Sequence, residues 1–275
     1  MTLVLEKKEL GPSIKSFKLL SPLIARKGEP GQFVVIRVYE QGERIPLTIA
    51  DADPERGTIK VVFQEVGRST KQLGKLNEGE KVSDLVGPLG HPSEIKGFGT
   101  VLIVAGGVGI AEAYPIARAL KKAGNKVVTI LGARTKDLLI MVDEIRETSD
   151  ELFTITDDGS SGRKGLVTDQ LKELLEKGMV FNRIITIGPT IMMKAVSGLS
   201  KKYGIPTVAS LNPIMIDATG MCGVCRVSVG GETKFTCVDG PEFDAHKVDF
   251  DQLMARLSQY KESEKIADHK CKLEN

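Results

Sequence analysis

Thr100 to Ala133 reads TVLIVAGGVGIAEAYPIARALKKAGNKVVTILGA. TVLIVA is apolar without alternation, as a strand buried on both faces of a parallel sheet requires. Gly106, Gly107 and Gly109 end that run, apolar positions then recur at helical spacing, and KVVTILGA is a second buried strand. The alternation returns in LVTDQLKELLEKG (166–178), RIITIGP (183–189) and TIMMKAVSGLSKKYG (190–204). Alternating β and α units predict a doubly wound parallel sheet over residues 98–210.

Working outward, residues 1–97 carry short β-type runs between turn residues: FVVIRVYE, TIKVVFQEV and KVSDLVGPLG. Such spacing predicts an antiparallel barrel or sandwich. Residues 211–275 break the βα alternation. They read as a small loop-rich lobe with one hairpin turned at Gly230-Gly231, followed by an amphipathic helix and a polar end. The lobe has too few apolar residues for a core of its own, so a metal is expected to supply the missing cohesion.

The chain has 275 residues, 41% apolar and 27% charged, which excludes wholesale disorder. A formal charge of +2, without a basic stripe and with 5% aromatic residues, argues against a nucleic-acid partner. The opening MTLVLEKKEL lacks an apolar leader core, and the longest apolar stretch is too short and glycine-broken to span a bilayer. No membrane association is expected, and the compartment is expected to be the cytoplasm.

Cys222, Cys225 and Cys237 form the most specific motif. Clustered thiols in a reducing compartment point to metal or redox chemistry. Thiolates two residues apart turn back on one ion or one cluster iron, and Gly220 and Gly223 let backbone amides face the sulfurs. A plant-type [2Fe–2S] spacing places its first ligand at Asp217. Either Asp217 ligates iron through oxygen, or the fourth ligand comes from elsewhere, with Asp239, Asp244 or a partner residue as candidates. Structural zinc held by three cysteines and His246 competes with this reading. Cys271, in the charged tail, is given no role.

The turn at Gly106, Gly107, Val108 and Gly109 lets a phosphate or ribose approach a helix N-terminus, and tight packing explains the same glycines. Asp157 and Asp158 follow an extended run and suit a ribose; Gly188-Pro189 ends a strand and opens a helix. In the first unit, Arg44 beside Pro46-Leu47-Thr48, and Gly67, Ser69 and Thr70 after a strand, suit a pyrophosphate. An ordinary surface turn accounts for each of them singly. His91 is read as a loop histidine without a role.

Taken in order, the R-x-P-x-T turn, the G-x-S-T segment, the GGVGIA turn, the GP-x-x-MM helix start and the cysteine lobe resemble the ferredoxin reductase superfamily. The resemblance covers nearly the whole chain. It extends to the branch of the dihydroorotate dehydrogenase B electron-transfer subunit and the small subunit of NADH-dependent ferredoxin:NADP oxidoreductase, also described as sulfide dehydrogenase. It implies an FAD-binding barrel over 1–97, an NAD(P)-binding α/β unit over 98–210 and a [2Fe–2S] lobe over 211–275. FAD would meet Pro46, Leu47, Thr48, Val62, Phe63 and Gln64, with Ser69 and Thr70 at its pyrophosphate. NAD(H) would dock at Gly106 to Gly109 and near Asp157, Asp158 and Gly188. Ile45 stands where the family often has arginine, so that Arg44 either replaces it at the phosphate or does not, and Ile187 replaces the thiol of the family's C-G-P turn. Asp217 stands for the first cluster cysteine, a pattern nearer the bifurcating reductase than the dihydroorotate branch.

The activity implied is electron passage between NAD(H), FAD and the cluster to a larger iron–sulfur flavoprotein subunit, and through it to ferredoxin and NADP(H). No side chain need act as acid or base. The aspartates favour NAD over NADP, whereas Arg134 and Lys136 argue the other way. The rivals are an electron-transfer subunit for dihydroorotate oxidation and a zinc-stabilised, non-catalytic redox-sensing module.

Overall fold

The computed structural model describes residues 1–264 and 266–267. Cys271 lies outside the described residues. The first unit has seven strands: β1 (Thr2–Gly11), β2 (Ile14–Leu20), β3 (Phe33–Arg37), β4 (Arg44–Asp53), β5 (Thr58–Gln64), β6 (Lys81–Val82) and β7 (Asp84–Leu89). All pairs are antiparallel, in the order β6-β1-β2-β5-β4-β3-β7. The two outer strands are separated in sequence by Ser83 alone, so the sheet curls until its ends meet. The fold is a barrel, not an open sandwich, and closure leaves few strand edges unpaired. Phe17, Val34, Ile36, Ile59, Val61 and Phe63 fill it, with Phe17 and Phe63 edge to face at 5.1 Å. Helices α1 (Pro22–Lys27) and α2 (Arg68–Lys75) connect the strands.

The second sheet runs β11-β10-β9-β8-β12-β13-β16. Its strands are β8 (Thr100–Gly106), β9 (Lys126–Ala133), β10 (Glu151–Thr156), β11 (Arg163–Lys164), β12 (Arg183–Ile187) and β13 (Thr207–Ser210), all parallel. Helices α3 (Gly109–Lys122), α4 (Val142–Thr148), α5 (Val167–Glu176) and α6 (Thr190–Lys202) link them. Successive residues of β8 serve opposite faces: Val101, Ile103 and Ala105 pack beneath α3, and Leu102 and Val104 beneath α5. The strand order reverses between β8 and β12, which opens a crevice at their carboxyl ends.

The C-terminal segment holds the hairpin β14 (Arg226–Val229) and β15 (Glu232–Phe235), the short α7 (Thr236–Asp239), β16 (Glu242–Asp244) and α8 (Phe250–Ser258). The hairpin turns at Gly230 and Gly231, both left-handed, as the spacing predicts. One expectation changes here. β16 crosses the expected boundary and adds an antiparallel seventh strand to the nucleotide sheet. The lobe also takes part of its core from its neighbours. Val227, Phe250 and Leu253 pack with Met193, Ala209 and Leu211, while Met215, Ala218, Cys225 and Cys237 pack on Phe33 and Val35 of the barrel. A segment too small to bury its own apolar surface shares that of its neighbours. Among the described residues no helix is long and apolar enough to cross a membrane.

Candidate functional site

Three places singled out in the sequence lie around the seam where barrel, sheet and lobe meet. On β4, Pro46, Leu47 and Thr48 lie half-buried opposite Val35, Val34 and Phe33 of β3. One strand further, Cys225 and Cys237 pack on Phe33 and Val35. Adjacent strands are about 4.8 Å apart, so the two thiols pack on the strand that neighbours Pro46–Thr48, which the structure places within β4 and not in the turn expected from the sequence.

The barrel residues divide. Phe63 and Val62 are buried, Phe63 in the barrel interior and Val62 in the core shared with the nucleotide sheet. Of these two, only the backbone is left to meet a ligand; Gln64 is half-buried at the end of β5. Thr70 caps α2: its hydroxyl accepts from the Val66 and Gly67 amides, each at 3.1 Å. Ser69 donates to the Glu43 carboxylate. The hydroxyls are thus engaged, and the anion-binding capacity of this end lies in the first-turn amides of α2, beside a Gly67 whose missing side chain faces open space. Arg44 is exposed, and its charge reaches Asp217 of the lobe.

Around the crevice the glycines also divide. A Cβ on Gly109 would come within 2.8 Å of the Ile187 carbonyl oxygen, and one on Gly106 within 2.7 Å of the Met192 sulfur. These two let the turns after β8 and β12 pack together. Gly107, at φ +57°, has nothing within 4 Å of its missing Cβ. Val108 caps α3 and Pro189 caps α6, so two helix N-termini flank that open position. At the ends of β9 and β10, the Asp157 and Asp158 amides donate to the carbonyls of Ala133 and Arg134 at 3.1 and 3.3 Å. This puts Arg134 beside the aspartates. Asp158 accepts from the Ser160 hydroxyl at 2.7 Å and its amide at 2.9 Å, which hold its carboxyl below the usual range. Asp158 therefore fastens its own turn. Asp157 is exposed and shows no side-chain bond among the described residues.

In the cysteine loop, the Cys225 thiol donates to the Cys237 sulfur at 3.2 Å, and both residues are 2% exposed. Burial, followed by that bond, pushes the Cys237 thiol up to about 12. Cys222 is exposed. Asp217 accepts from the Thr219 amide at 3.0 Å and the Cys222 amide at 2.8 Å, and these bonds keep its carboxylate ionised. It folds over the loop that carries the first thiol, and its charge also reaches Cys237. The rival ligands make bonds of their own as well. Asp239 accepts from the Phe235 amide, Asp244 from the His246 amide, and the His246 ring bonds Ser200 at 3.0 Å. Among the described residues no group of three His, Cys, Asp or Glu side chains is gathered tightly enough for a single ion. Two adjoining buried sulfurs, an exposed third and a carboxylate spread around a left-handed Gly220 and Gly223 loop suit a two-iron cluster better than one zinc.

One residue escaped the sequence reading. Glu112, in the first turn of α3, is half-buried. It accepts from Thr48 Oγ1 at 3.2 Å and from Ser210 Oγ at the end of β13. Burial pushes its carboxyl up to about 7, against the hydrogen bond from Ser210 and with the charge of Glu242. An acid immediately after GGVGIA was visible in the sequence, but a first-turn glutamate ordinarily faces solvent and favours the helix dipole.

The family described as "Iron-sulfur cluster binding domain of dihydroorotate dehydrogenase B" matches residues 212–249, and "Oxidoreductase NAD-binding domain" matches residues 103–198. The chain is 53% identical over 264 residues to the "Dihydroorotate dehydrogenase B (NAD(+)), electron transfer subunit homolog" of Thermotoga maritima, covering 96% of this chain and 93% of that one. It is 32% identical to the electron transfer subunit of dihydroorotate dehydrogenase B from Bacillus cereus, covering 90% and 96%. Among solved structures, a chain of NADH-dependent reduced ferredoxin-NADP oxidoreductase, described for flavin-based electron bifurcation, superposes with a TM-score of 0.93 at 51% identity, covering 98% and 97%. Phthalate dioxygenase reductase shares the fold at 18% identity and a TM-score of 0.60, covering 83% and 86%.

Proposed function

Because this chain belongs to the family of dihydroorotate dehydrogenase B electron-transfer subunits and their homologues, we propose that it is the NAD(H)-side electron-transfer subunit of a two-protein flavin and iron–sulfur oxidoreductase. Its partner is a larger iron–sulfur flavoprotein, through which electrons are exchanged with ferredoxin and NADP(H) by bifurcation. The observation that carries this reading is the packing of Cys225 and Cys237 on the β3 residues that pair with Pro46 and Thr48. The 51% identity to the bifurcating reductase chain, against 32% to the Bacillus cereus dihydroorotate dehydrogenase B subunit, favours it over dihydroorotate oxidation. We place it in the cytoplasm, where its free thiols stay reduced.

FAD would be held by Pro46, Leu47 and Thr48, by the backbone of residues 62–64 and by the first-turn amides of α2 from Gly67. NAD(H) would be held at Gly107, Val108, Gly188 and Pro189, and the [2Fe–2S] cluster by Asp217, Cys222, Cys225 and Cys237. Bound together, these groups convert the two-electron traffic of a nicotinamide into the one-electron traffic of iron. The protein's part is orientation. The α3 and α6 N-termini would hold the dinucleotide phosphates at the crevice, and β4 is tied to α3 there by the Thr48–Glu112 bond. The shared core of the barrel and the sheet keeps the two halves in fixed register. Met221 and Ile216, both exposed beside the first thiol, give a partner an apolar landing at the cluster edge.

Anaerobically purified protein is expected to be yellow-brown, to contain flavin and two irons per chain, and to bleach on addition of NADH. A colourless preparation that binds one zinc would instead support the non-catalytic module. At the ribose, Asp157→Asn is expected to raise kcat/KM for NADPH on the order of tenfold by removing like-charge repulsion, with little change from Asp158→Asn beyond a loosened turn. Unchanged cofactor preference in Asp157→Asn would move the ribose elsewhere. At the cluster, Asp217→Cys is expected to retain iron with an altered visible and EPR spectrum. Native iron content and spectrum in Asp217→Ala would remove Asp217 from the ligand set.

A further inference from the structure

Resting on the flavin reading of the Pro46–Thr48 segment of β4, the geometry points to Glu112 as the proton-holding residue of this subunit, taking up or returning through the Thr48 hydroxyl the proton that accompanies electrons leaving the flavin singly. The balance requires such a group. A hydride brings two electrons and one proton to the ring; when both electrons leave one at a time to an iron centre, that proton remains and needs a base. In the opposite direction it must be resupplied.

Glu112 has the connections for this. Thr48 Oγ1 donates to one carboxylate oxygen at 3.2 Å, and Ser210 Oγ donates to the other. Each hydroxyl is both donor and acceptor. When Glu112 is protonated it can donate to either, and that hydroxyl turns its own hydrogen outward. A proton thus passes between Glu112 and whatever lies beyond Thr48 without movement of the backbone.

The second connection leads outward. Ser210 pairs with Glu242 across β13 and β16, so the two side chains share one face of the sheet. Glu242 accepts from Ser93 Oγ at 2.6 Å, and burial raises its carboxyl above the ordinary value. It lines an open cavity of about 630 Å³ with His91, Arg183, Asp244 and His246. Glu112, Ser210 and Glu242 thus lie in succession between Thr48 of β4 and a wall of solvent-facing titratable groups, with Ser210 bonded to Glu112 and facing Glu242 across the strand pair. Glu242 is the group whose charge reaches Glu112 from β16. On the side of α3 that packs on β4, Asp51 and Arg118 neutralise each other at 2.6 Å. Glu112 accordingly titrates around neutrality, where a proton carrier exchanges most readily in both directions.

The test uses the flavin-loaded chain and the same chain without flavin. In the flavin-free protein, infrared difference titration is expected to show a protonated carboxylic acid band that disappears as pH rises through about 7 and is missing from Glu112→Gln. In the loaded protein reduced by NADH, oxidation by the one-electron acceptor ferricyanide is expected to accelerate over the same pH range with a solvent deuterium isotope effect. Glu112→Gln should slow this step on the order of a hundredfold and flatten its pH profile. Thr48→Val should do the same while retaining the infrared band, and Glu242→Gln should retain the band and slow the step less. Thr48→Val keeps the question answerable should Glu112→Gln fail to fold. The absence of a carboxylic acid band in the wild type at pH 6, or an unchanged pH profile in a folded Glu112→Gln or in Thr48→Val, would overturn the proposal. A wild-type chain that takes up no flavin would instead overturn the flavin reading on which it rests.

Discussion

Cys225→Ser and Cys237→Ser are each expected to give a folded subunit that keeps its flavin and loses most of its iron, with electron delivery to the partner reduced at least a hundredfold. The two sulfurs lie 3.2 Å apart in a pocket that leaves each residue 2% exposed. Serine nearly matches cysteine in volume, so the packing of Phe33, Val35, Met215 and Ala218 around them survives. The ligand set does not survive. Removing groups that merely support metal ligands costs about 10–100-fold in affinity or activity, and removing a ligand costs more. Burial pushes the Cys237 thiol up to about 12, so in the metal-free chain it carries its proton, and iron must displace it. Cluster reconstitution in the wild type should therefore become more favourable as pH rises. Iron analysis, the visible spectrum and NADH-dependent flavin bleaching check the set together. Native iron and spectrum in Cys225→Ser would show that the buried pair is an ordinary patch of core.

The second large effect belongs to Gly188→Ala. Gly188 has φ +146°, a region side chains rarely enter, and a Cβ there would lie 2.8 Å from the Gly106 carbonyl oxygen and 3.0 Å from Met192 Cε. The methyl group must force apart the turns that end β8 and β12. Backbone strain and overpacking of this kind each cost roughly 1–3 kcal/mol, and both act here at the mouth of the nucleotide crevice. The expected result is a lower Tm and NADH binding weakened more than tenfold, with flavin and iron content unchanged. Gly107→Ala separates the two contributions, since its Cβ would meet open space and only the left-handed φ of +57° is penalised. Calorimetry with NADH titration checks both variants. An unaltered Tm and affinity in Gly188→Ala would mean that the turns do not abut.

The elements read most plainly in the sequence are those whose burial pattern is periodic. TVLIVA and KVVTILGA are strands because both of their faces are covered, and the glycines after TVLIVA end that strand at the carboxyl edge of the parallel sheet. The candidate residues were harder to read individually. Gly106 and Gly109 are needed by the neighbouring turn, whereas Gly107 faces open space, although all three look alike in GGVGIA. Asp158 is bound within its own turn, and its neighbour Asp157 is not. Phe63 belongs to the barrel interior despite its place in the motif. Arg44 lies within electrostatic reach of Asp217, which is 173 positions away in the chain.

What the sequence determined alone is local in kind: the alternation of strand and helix, the turn chemistry of glycine, and the thiol spacing of Cys222 and Cys225, each set by contacts a few residues apart. Only the tertiary structure decided how the C-terminal lobe is held, which hydroxyls are already engaged, and that Glu112 stands between Thr48 and Ser210. Those outcomes depend on which surfaces meet across the seam of barrel, sheet and lobe. A carboxyl group's protonation and a glycine's necessity follow from its neighbours in space, and residues 48, 112 and 210 are brought together by the pairing order of two sheets rather than by any spacing along the chain.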